Sequence, residues 1–246
     1  MNNWITPDWP APCNVKALFT TRNGGVSNEP YASLNLGDHV GDDPLAVEQN
    51  RALLRRFLPG EPKWLKQVHG TISVSIDGYD CTAPIEGDGA FSRHPGNVCA
   101  VLVADCLPIL LCDRAGSAVG VIHAGWRGLA GGVIEHTVSA IGAVDTPIMA
   151  WLGPAIGPDH FEVGEEVRQA FIKHDRKAAL AFLPHPGNND KWFADLFLLA
   201  RQRLVDAGVT GIYGGGECTY GDPVRFFSYR RDGHTGRMAG LIWLVP

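Results

Sequence analysis

Apolar residues run through this chain in short stretches broken by glycine and polar clusters, and the densest of these lies between Val98 and Gly132. Two apolar runs, Leu107–Cys112 and Ser117–Ile122, flank Asp113-Arg114-Ala115-Gly116, the pattern of a β-hairpin. A turn centred on Arg114 and Ala115 sets Cys106 directly opposite His123. Directly opposed residues of an antiparallel pair have Cβ atoms roughly 4.5–5.5 Å apart, close enough for a thiolate and an imidazole to share an ion or a proton. After His123 come Ala-Gly-Trp-Arg-Gly and then Leu129, Val133, Ile134, Val138 and Ile141 at helical spacing, which predicts a helix from about Arg127 to Gly142.

The rest of the pattern alternates strands and helices. VKALFTT (15–21) reads as a strand, followed by a long polar loop containing SLNLGDHVGDDP, with Asn35, Asp38 and His39. A structureless loop of roughly 20 residues in a compact fold is unusual unless it serves a site. Asp43-Pro44 reads as an N-cap with proline at N1, opening a helix to about Leu58 whose apolar face is Leu45, Leu53, Leu54 and Phe57. WLKQV (64–68) and TISVSI (71–76) read as strands, and 77–89 as a loop with Asp88 near its end. PIMAWL (147–152) is a further strand, 164–174 a helix with acidic residues in its first turn, and ADLFLLARQRLVDAG a helix stopped by Gly208. Arg225–Tyr229 and Met238–Val245 are expected to close the chain as a hairpin. With no repeat or linker, residues 1–246 are expected to form one domain of the α+β (mixed α/β) class, with mixed or antiparallel sheets rather than a doubly wound parallel sheet.

With 45% hydrophobic and 19% charged residues, the 246-residue chain has ample material for a core. A net charge of −5 without a basic cluster leaves no footprint for nucleic acid or a membrane surface, so the expected partner is a small molecule. MNNWITPDWPAPC has no basic n-region and no apolar h-region, so an export signal is not expected; no apolar run approaches a membrane span, and the cytoplasm is the expected compartment. In a reducing compartment the six cysteines are expected as thiols, with Cys13, Cys81, Cys99 and Cys112 in contexts that suit inert, buried groups.

His69, Cys106 and His123 stand at the ends of apolar strands beside glycine or acidic residues. Two imidazoles and a thiolate form the donor set of a catalytic zinc with an open fourth position, an ion that lowers the pKa of bound water and polarises substrate atoms. The same residues also admit a metal-free Cys106–His123 nucleophilic pair. The Gly125–Gly128 turn opens the predicted helix, so its amides and Arg127 suit a phosphate or carboxylate; equally, the glycines suit a turn that needs positive φ. Arg22 is a second candidate cation, and Asp88 and Asp105 are candidate acid–base groups or carboxylates that fix a histidine tautomer.

The motifs TTRNGGVS, YASLNLGDHVGDDP, WLKQVHG, ADCLPILLCD, IHAGWRGLAGGVIE, LGPAIGP, DLFLLARQRL and FFSYRRDGHTGRMAGLIWL occur in this order over nearly the whole chain. In them the sequence resembles the laccase-domain family, the YfiH-like proteins also labelled multicopper polyphenol oxidases. Gly87–Ser92 departs from the family's more usual Ala-Asp-Ala or Ala-Asp-Gly stretch followed by Thr, but keeps Asp88. The resemblance implies packed mixed sheets flanked by helices, related to bacterial toxin-type cysteine hydrolases. It also implies zinc on His69, Cys106 and His123, phosphorolysis of adenosine, inosine and methylthioadenosine, and adenosine deamination. Asn35, on the SLNLG loop, is a candidate for substrate positioning. Multicopper oxidases build their trinuclear cluster from His-x-His pairs, and none of the nine histidines lies two residues from another. Copper nevertheless binds most N/S sites more tightly than zinc. Other readings are a hydrolase that edits UDP-muramoyl cell-wall precursors and a non-enzymatic small-molecule or metal-binding protein.

Overall fold

The computed structural model describes residues 3–79, 84–142 and 146–246. Its centre is a mixed six-stranded sheet in the order Gly211–Gly214, Ile148–Leu152, Leu107–Asp113, Val119–Ala124, Gly89–Ser92 and Ser73–Ser75. A four-stranded sheet, in the order Val15–Phe19, Met238–Leu244, Val98–Val103 and Pro62–Lys63, packs on one of its faces. Alternation along the strands explains the layering, because successive side chains point to opposite faces. Leu110, Cys112, Val119 and Val121 meet Val101, Val103 and Ile242 between the two sheets. Ile109, Leu111 and Ile122 point the other way, against Leu129, Ile134 and Leu204 of the helices Trp126–Gly131, Val133–Ile141 and Leu196–Asp206. On the outer face of the four-stranded sheet, Leu54 of helix Pro44–Arg55 packs on Leu102, Leu241 and Trp243. The mixed α/β class expected from the sequence is thus a helix–sheet–sheet–helix stack. A small three-stranded sheet (Glu162–Gly164, Lys191–Ala194, Phe182–Pro184) and a two-stranded parallel ribbon (Leu65–Lys66, Ile85–Glu86) complete it.

Four local expectations are corrected. The central hairpin pairs Pro108 with His123 and Leu107 with Ala124, so Cys106 lies two residues from the direct opposition that the turn predicted. The turn is longer than a tight two-residue loop: the Asp113 carboxylate accepts from Ser117 N at 2.7 Å and Ala118 N at 3.2 Å, while Gly116 takes φ +66°. A slip of two residues preserves the face on which each side chain stands, so Cys106 and His123 still converge. The single helix from Arg127 is two helices, broken at Gly132, whose φ of +104° ends one and starts the next.

The expected C-terminal hairpin is absent. Met238–Leu244 pairs instead with Val15–Phe19 and Val98–Val103, while Phe226 and Phe227 are buried and Tyr229–Asp232 is a short helix. Helix Pro44–Arg55 begins as expected, with Asp43 accepting from Leu45 N at 3.0 Å, but its inner face is Val47, Asn50 and Leu54. Leu45 and Phe57 are exposed. Asn50 is drawn inward because its amide donates to Ser27 Oγ, Ser33 O and Asn35 O, which organises the polar loop.

Candidate metal centre

Val98–Val103 belongs to the four-stranded sheet and Leu107–Asp113 to the six-stranded one. The chain crosses between them through Ala104, Asp105 and Cys106, which sets the thiol at the mouth of the stack. His123 is the penultimate residue of its strand, and His69 follows the Leu65–Lys66 strand with φ +59°. Their donor atoms all lie within 4.8 Å of one another. Cys106 Sγ is 3.8 Å from His69 Nε2, and the His69 and His123 rings meet edge to face at 4.8 Å between centroids. His123 is buried, Cys106 half-buried and His69 exposed, so the cluster opens on one side.

Asp88 organises both histidines. Its Oδ1 receives His123 Nδ1 at 2.7 Å and His69 N at 3.0 Å, and its Oδ2 receives Gly70 N at 2.7 Å and Val68 N at 3.2 Å. Engaging Nδ1 leaves His123 Nε2 for an ion, the usual second partner of a metal-ligating imidazole. Burial alone would raise the Asp88 carboxyl, but the hydrogen bond and charge of His123 and the amide donors outweigh it and hold it below its ordinary value. At Cys106, burial likewise pushes the thiol up, and the His123 charge and hydrogen bond, with those of His69, bring it down. His123 moves the opposite way: burial disfavours its charged form, but the Cys106 thiolate and Asp88 raise it.

Two buried thiols behave differently. Burial pushes Cys112 up to about 12 and Cys99 higher still. Cys13 is exposed rather than buried as expected, and Cys81 lies outside the described residues.

Gly125 and Gly128 are required by close approach rather than by positive φ. Gly125 has ordinary extended backbone, at φ −66° and ψ 154°, yet a Cβ there would sit 2.7 Å from His69 Cδ2 and 3.2 Å from Cys106 Sγ. At Gly128 a Cβ would meet Gly70 O at 2.6 Å. The helix they open is only six residues long, so its dipole contributes little and the cationic character of the site rests on side chains.

Above the cluster lies a cleft of about 220 Å³ whose walls include His69, Cys106, Trp126, Arg127, Phe161, Tyr229 and Arg230. The Arg127 guanidinium lies over the Trp126 ring at 4.5 Å, and Arg230 lies over Phe161 at 5.4 Å while donating to Glu162 O at 2.9 Å. Neither arginine has an ion-pair partner among the described residues.

The remaining candidates are engaged in hydrogen bonds within the protein. Arg22 donates to Ala32 O and Pro223 O and stacks on Phe227, joining two loops. Asn35 is fully buried: its amide donates to Gly37 O and Asp42 Oδ2, and its oxygen accepts from Gly37 N and Arg237 N. Neither stands on the cleft wall. The Asp105 carboxylate is occupied by Thr219 Oγ1, Ser228 Oγ and Arg230 N. Sequence reasoning missed Trp126, Phe161, Tyr229 and Arg230; the Arg-rich SYRRD stretch (228–232) was a signal for the last, obscured by its assignment to a hairpin.

The family described as multi-copper polyphenol oxidoreductase laccase matches residues 16–245. The chain belongs to that family. This laccase-like chain is 52% identical, over 99% of both chains, to a Pseudomonas aeruginosa protein named as a purine nucleoside phosphorylase. It is 53% identical over the full length of both to the Escherichia coli purine nucleoside phosphorylase YfiH. A Neisseria meningitidis crystal structure superposes with a TM-score of 0.93 at 49% identity, covering 99% of this chain and 100% of that one. Bacillus licheniformis YfiH does so with a TM-score of 0.88 at 32% identity, covering 94% and 92%.

The donor set of this family member suits a single ion. Two imidazole nitrogens and a sulfur converge, one histidine is oriented by a carboxylate, and Gly125 leaves the space beside the donors free of a side chain. A His₂Cys set fits zinc, and also copper. Among the described residues it is the one cluster of three or more such donors.

Proposed function

We propose that the chain is a zinc-dependent purine nucleoside phosphorylase, cleaving adenosine, inosine and methylthioadenosine with inorganic phosphate, and that the same cleft deaminates adenosine. The observation that carries this reading is the meeting of an open His69–Cys106–His123 donor set with a cleft walled by aromatic rings and two arginines that have no ion-pair partner among the described residues. The names of the relatives support it.

His69, Cys106 and His123 would hold the metal, which supplies a Lewis acid and lowers the pKa of bound water. Trp126, Phe161 and Tyr229 offer flat apolar faces to a purine. Arg127 and Arg230 hold the phosphate, and guanidinium forks suit its oxygens. In phosphorolysis a phosphate oxygen bonds to C1′ of the sugar as the C1′–N9 bond breaks, and N9 takes the electron pair. The arginines align the nucleophile and neutralise its charge near that carbon. Asp88 and Asp105 already accept the hydrogen bonds described above, so they act by positioning and not by proton transfer. The laccase reading is disfavoured by the absence of His-x-His pairs and of a second donor cluster among the described residues.

The partner is therefore a small molecule. No helix among the described residues is long and apolar enough to cross a membrane, and we place the enzyme in the cytoplasm, where a free thiolate ligand stays reduced. The test incubates zinc-loaded protein with adenosine, with and without phosphate. Adenine plus ribose 1-phosphate is expected only with phosphate, and inosine in both. Absence of both products overturns the reading in favour of cell-wall precursor editing.

A further inference from the structure

Asp105 joins the segments that build the cleft. It is one of two non-glycine residues among those described with positive φ, at +84°, a conformation that turns the chain sharply just before Cys106. Its Oδ1 accepts from Thr219 Oγ1 at 2.6 Å, and its Oδ2 accepts from Ser228 Oγ at 3.0 Å and Arg230 N at 2.6 Å. Its backbone oxygen accepts from Ile156 N at 2.9 Å. Cys106, Ile156, Tyr229 and Arg230 all line the cleft, so one buried residue ties the sulfur donor to the opposite wall. The Tyr229–Asp232 helix is too short to hold itself in place and buries none of its side chains fully. Arg231 ties its later residues to Thr219 O, Tyr220 O and Phe226 O, and the Asp105 carboxylate holds its first turn.

We propose that Asp105 is a positioning residue: its carboxylate clamps the first turn of helix Tyr229–Asp232 and thereby sets Arg230 over the metal centre to receive phosphate. The phosphate part rests on the reading of function above; the clamp itself does not. In this role Asp105 needs only to accept hydrogen bonds, from Thr219 Oγ1, Ser228 Oγ and Arg230 N.

Two substitutions separate these roles. Asn tolerates left-handed backbone, and with its oxygen toward Arg230 N its amide can donate to the Thr219 hydroxyl, so Asp105→Asn preserves the clamp. Gly adopts the same backbone freely but removes the acceptors. Asp105→Asn is expected to keep kcat and KM within about threefold of wild type and to leave the pH profile unchanged. Asp105→Gly is expected to raise KM for phosphate at least about tenfold, with kcat changed far less and zinc content unchanged. Adding Arg230→Ala to Asp105→Gly is expected to cost nothing beyond Arg230→Ala alone, since both remove the same contact.

Amide exchange followed by mass spectrometry reads the clamp without any substrate. Exchange in 228–232 is expected to accelerate at least about tenfold in Asp105→Gly and to stay at the wild-type rate in Asp105→Asn. Unchanged exchange in Asp105→Gly, a loss in Asp105→Asn as large as in Asp105→Gly, or multiplicative effects in the double variant would each overturn the proposal. A wild-type protein without phosphorolysis, combined with the expected exchange pattern, overturns the functional reading alone and leaves the clamp in place.

Discussion

Asp88 Oδ1 and His123 Nδ1 are 2.7 Å apart where both side chains are sealed from solvent, and the same carboxylate gathers three consecutive amides, those of Val68, His69 and Gly70. One group thus fixes the ring of one histidine donor and the backbone of the other. Asp88→Asn keeps the shape but turns one end of the carboxylate into a donor that faces donors. That end is either at His123 or at the Val68 and Gly70 amides. Zinc affinity is expected to fall about 10–100-fold, the usual consequence of losing a carboxylate behind a metal-ligating histidine. Chelator competition measures it, and wild-type affinity in this variant would remove Asp88 from the metal site.

The thiols provide a second check. Cys106 is half-buried beside two imidazoles that favour its thiolate, whereas Cys99 and Cys112 are buried and held in the thiol form. In chelator-treated protein, iodoacetamide is expected to label Cys106 faster than exposed Cys13, and zinc is expected to suppress labelling at Cys106 alone. Peptide mapping separates the two sites. Equal labelling of Cys106 with and without zinc would mean that the sulfur is not a ligand. Cys106→Ala is expected to abolish both metal binding and turnover.

Periodicity made the presence of most strands and of the two long helices on either side of the stack legible, but not every buried face: in Pro44–Arg55, Leu45 is exposed and Asn50 faces inward. The convergence of Cys106 and His123 survived an error in register because side chains alternate with a period of two and the error was itself two residues. Legibility failed where partners are distant in sequence. Met238–Leu244 pairs with Val15–Phe19, across almost the whole chain. Asn35 and Arg22 are polar residues in polar loops, a context in which bracing and ligand contact read alike until the hydrogen bonds of Asn35 to Arg237 N and of Arg22 to Pro223 O are known. The aromatic walls were illegible for the same reason, since Trp126, Phe161 and Tyr229 come from three separate segments.

A pH effect on stability is expected away from the metal site, at Asp77. Its carboxylate accepts from Ser92 Oγ, from Arg93 N at 2.9 Å and from Asn97 Nδ2 at 2.9 Å, and His94 Nδ1 lies at 3.1 Å. Burial alone would raise the group, but these partners hold it at about 2, against 3.8 ordinarily. The folded form therefore resists protonation more than the unfolded chain does. The stabilisation is complete above about pH 4 and is lost as the pH falls toward 2, on the order of 1–2 kcal/mol for a partly screened group. Urea unfolding of wild type and Asp77→Asn at pH 5 and pH 2.5 is expected to show their difference shrinking by that amount. A difference independent of pH would show that the carboxylate charge contributes nothing.

Two glycines of the same motif serve different ends, and alanine distinguishes them. At Gly125 the backbone is one that alanine adopts without strain, so the cost of Gly125→Ala falls on the neighbours its Cβ would meet, His69 Cδ2 at 2.7 Å and Cys106 Sγ at 3.2 Å. Both belong to the candidate donor set, and the His69 side chain is exposed, so it can shift to accommodate the Cβ. Zinc affinity is therefore expected to drop at least about tenfold while the metal-free protein unfolds near the wild-type temperature. At Gly132 the nearest atoms to a Cβ stand at 3.5 Å, an ordinary contact, but φ is +104°. Gly132→Ala is expected to cost roughly 1–3 kcal/mol of stability through backbone strain at the helix junction, with metal affinity unchanged. Thermal unfolding with and without zinc reads both variants, and the reverse pattern would show that the Gly125 turn is built for backbone conformation and not for access to the ion.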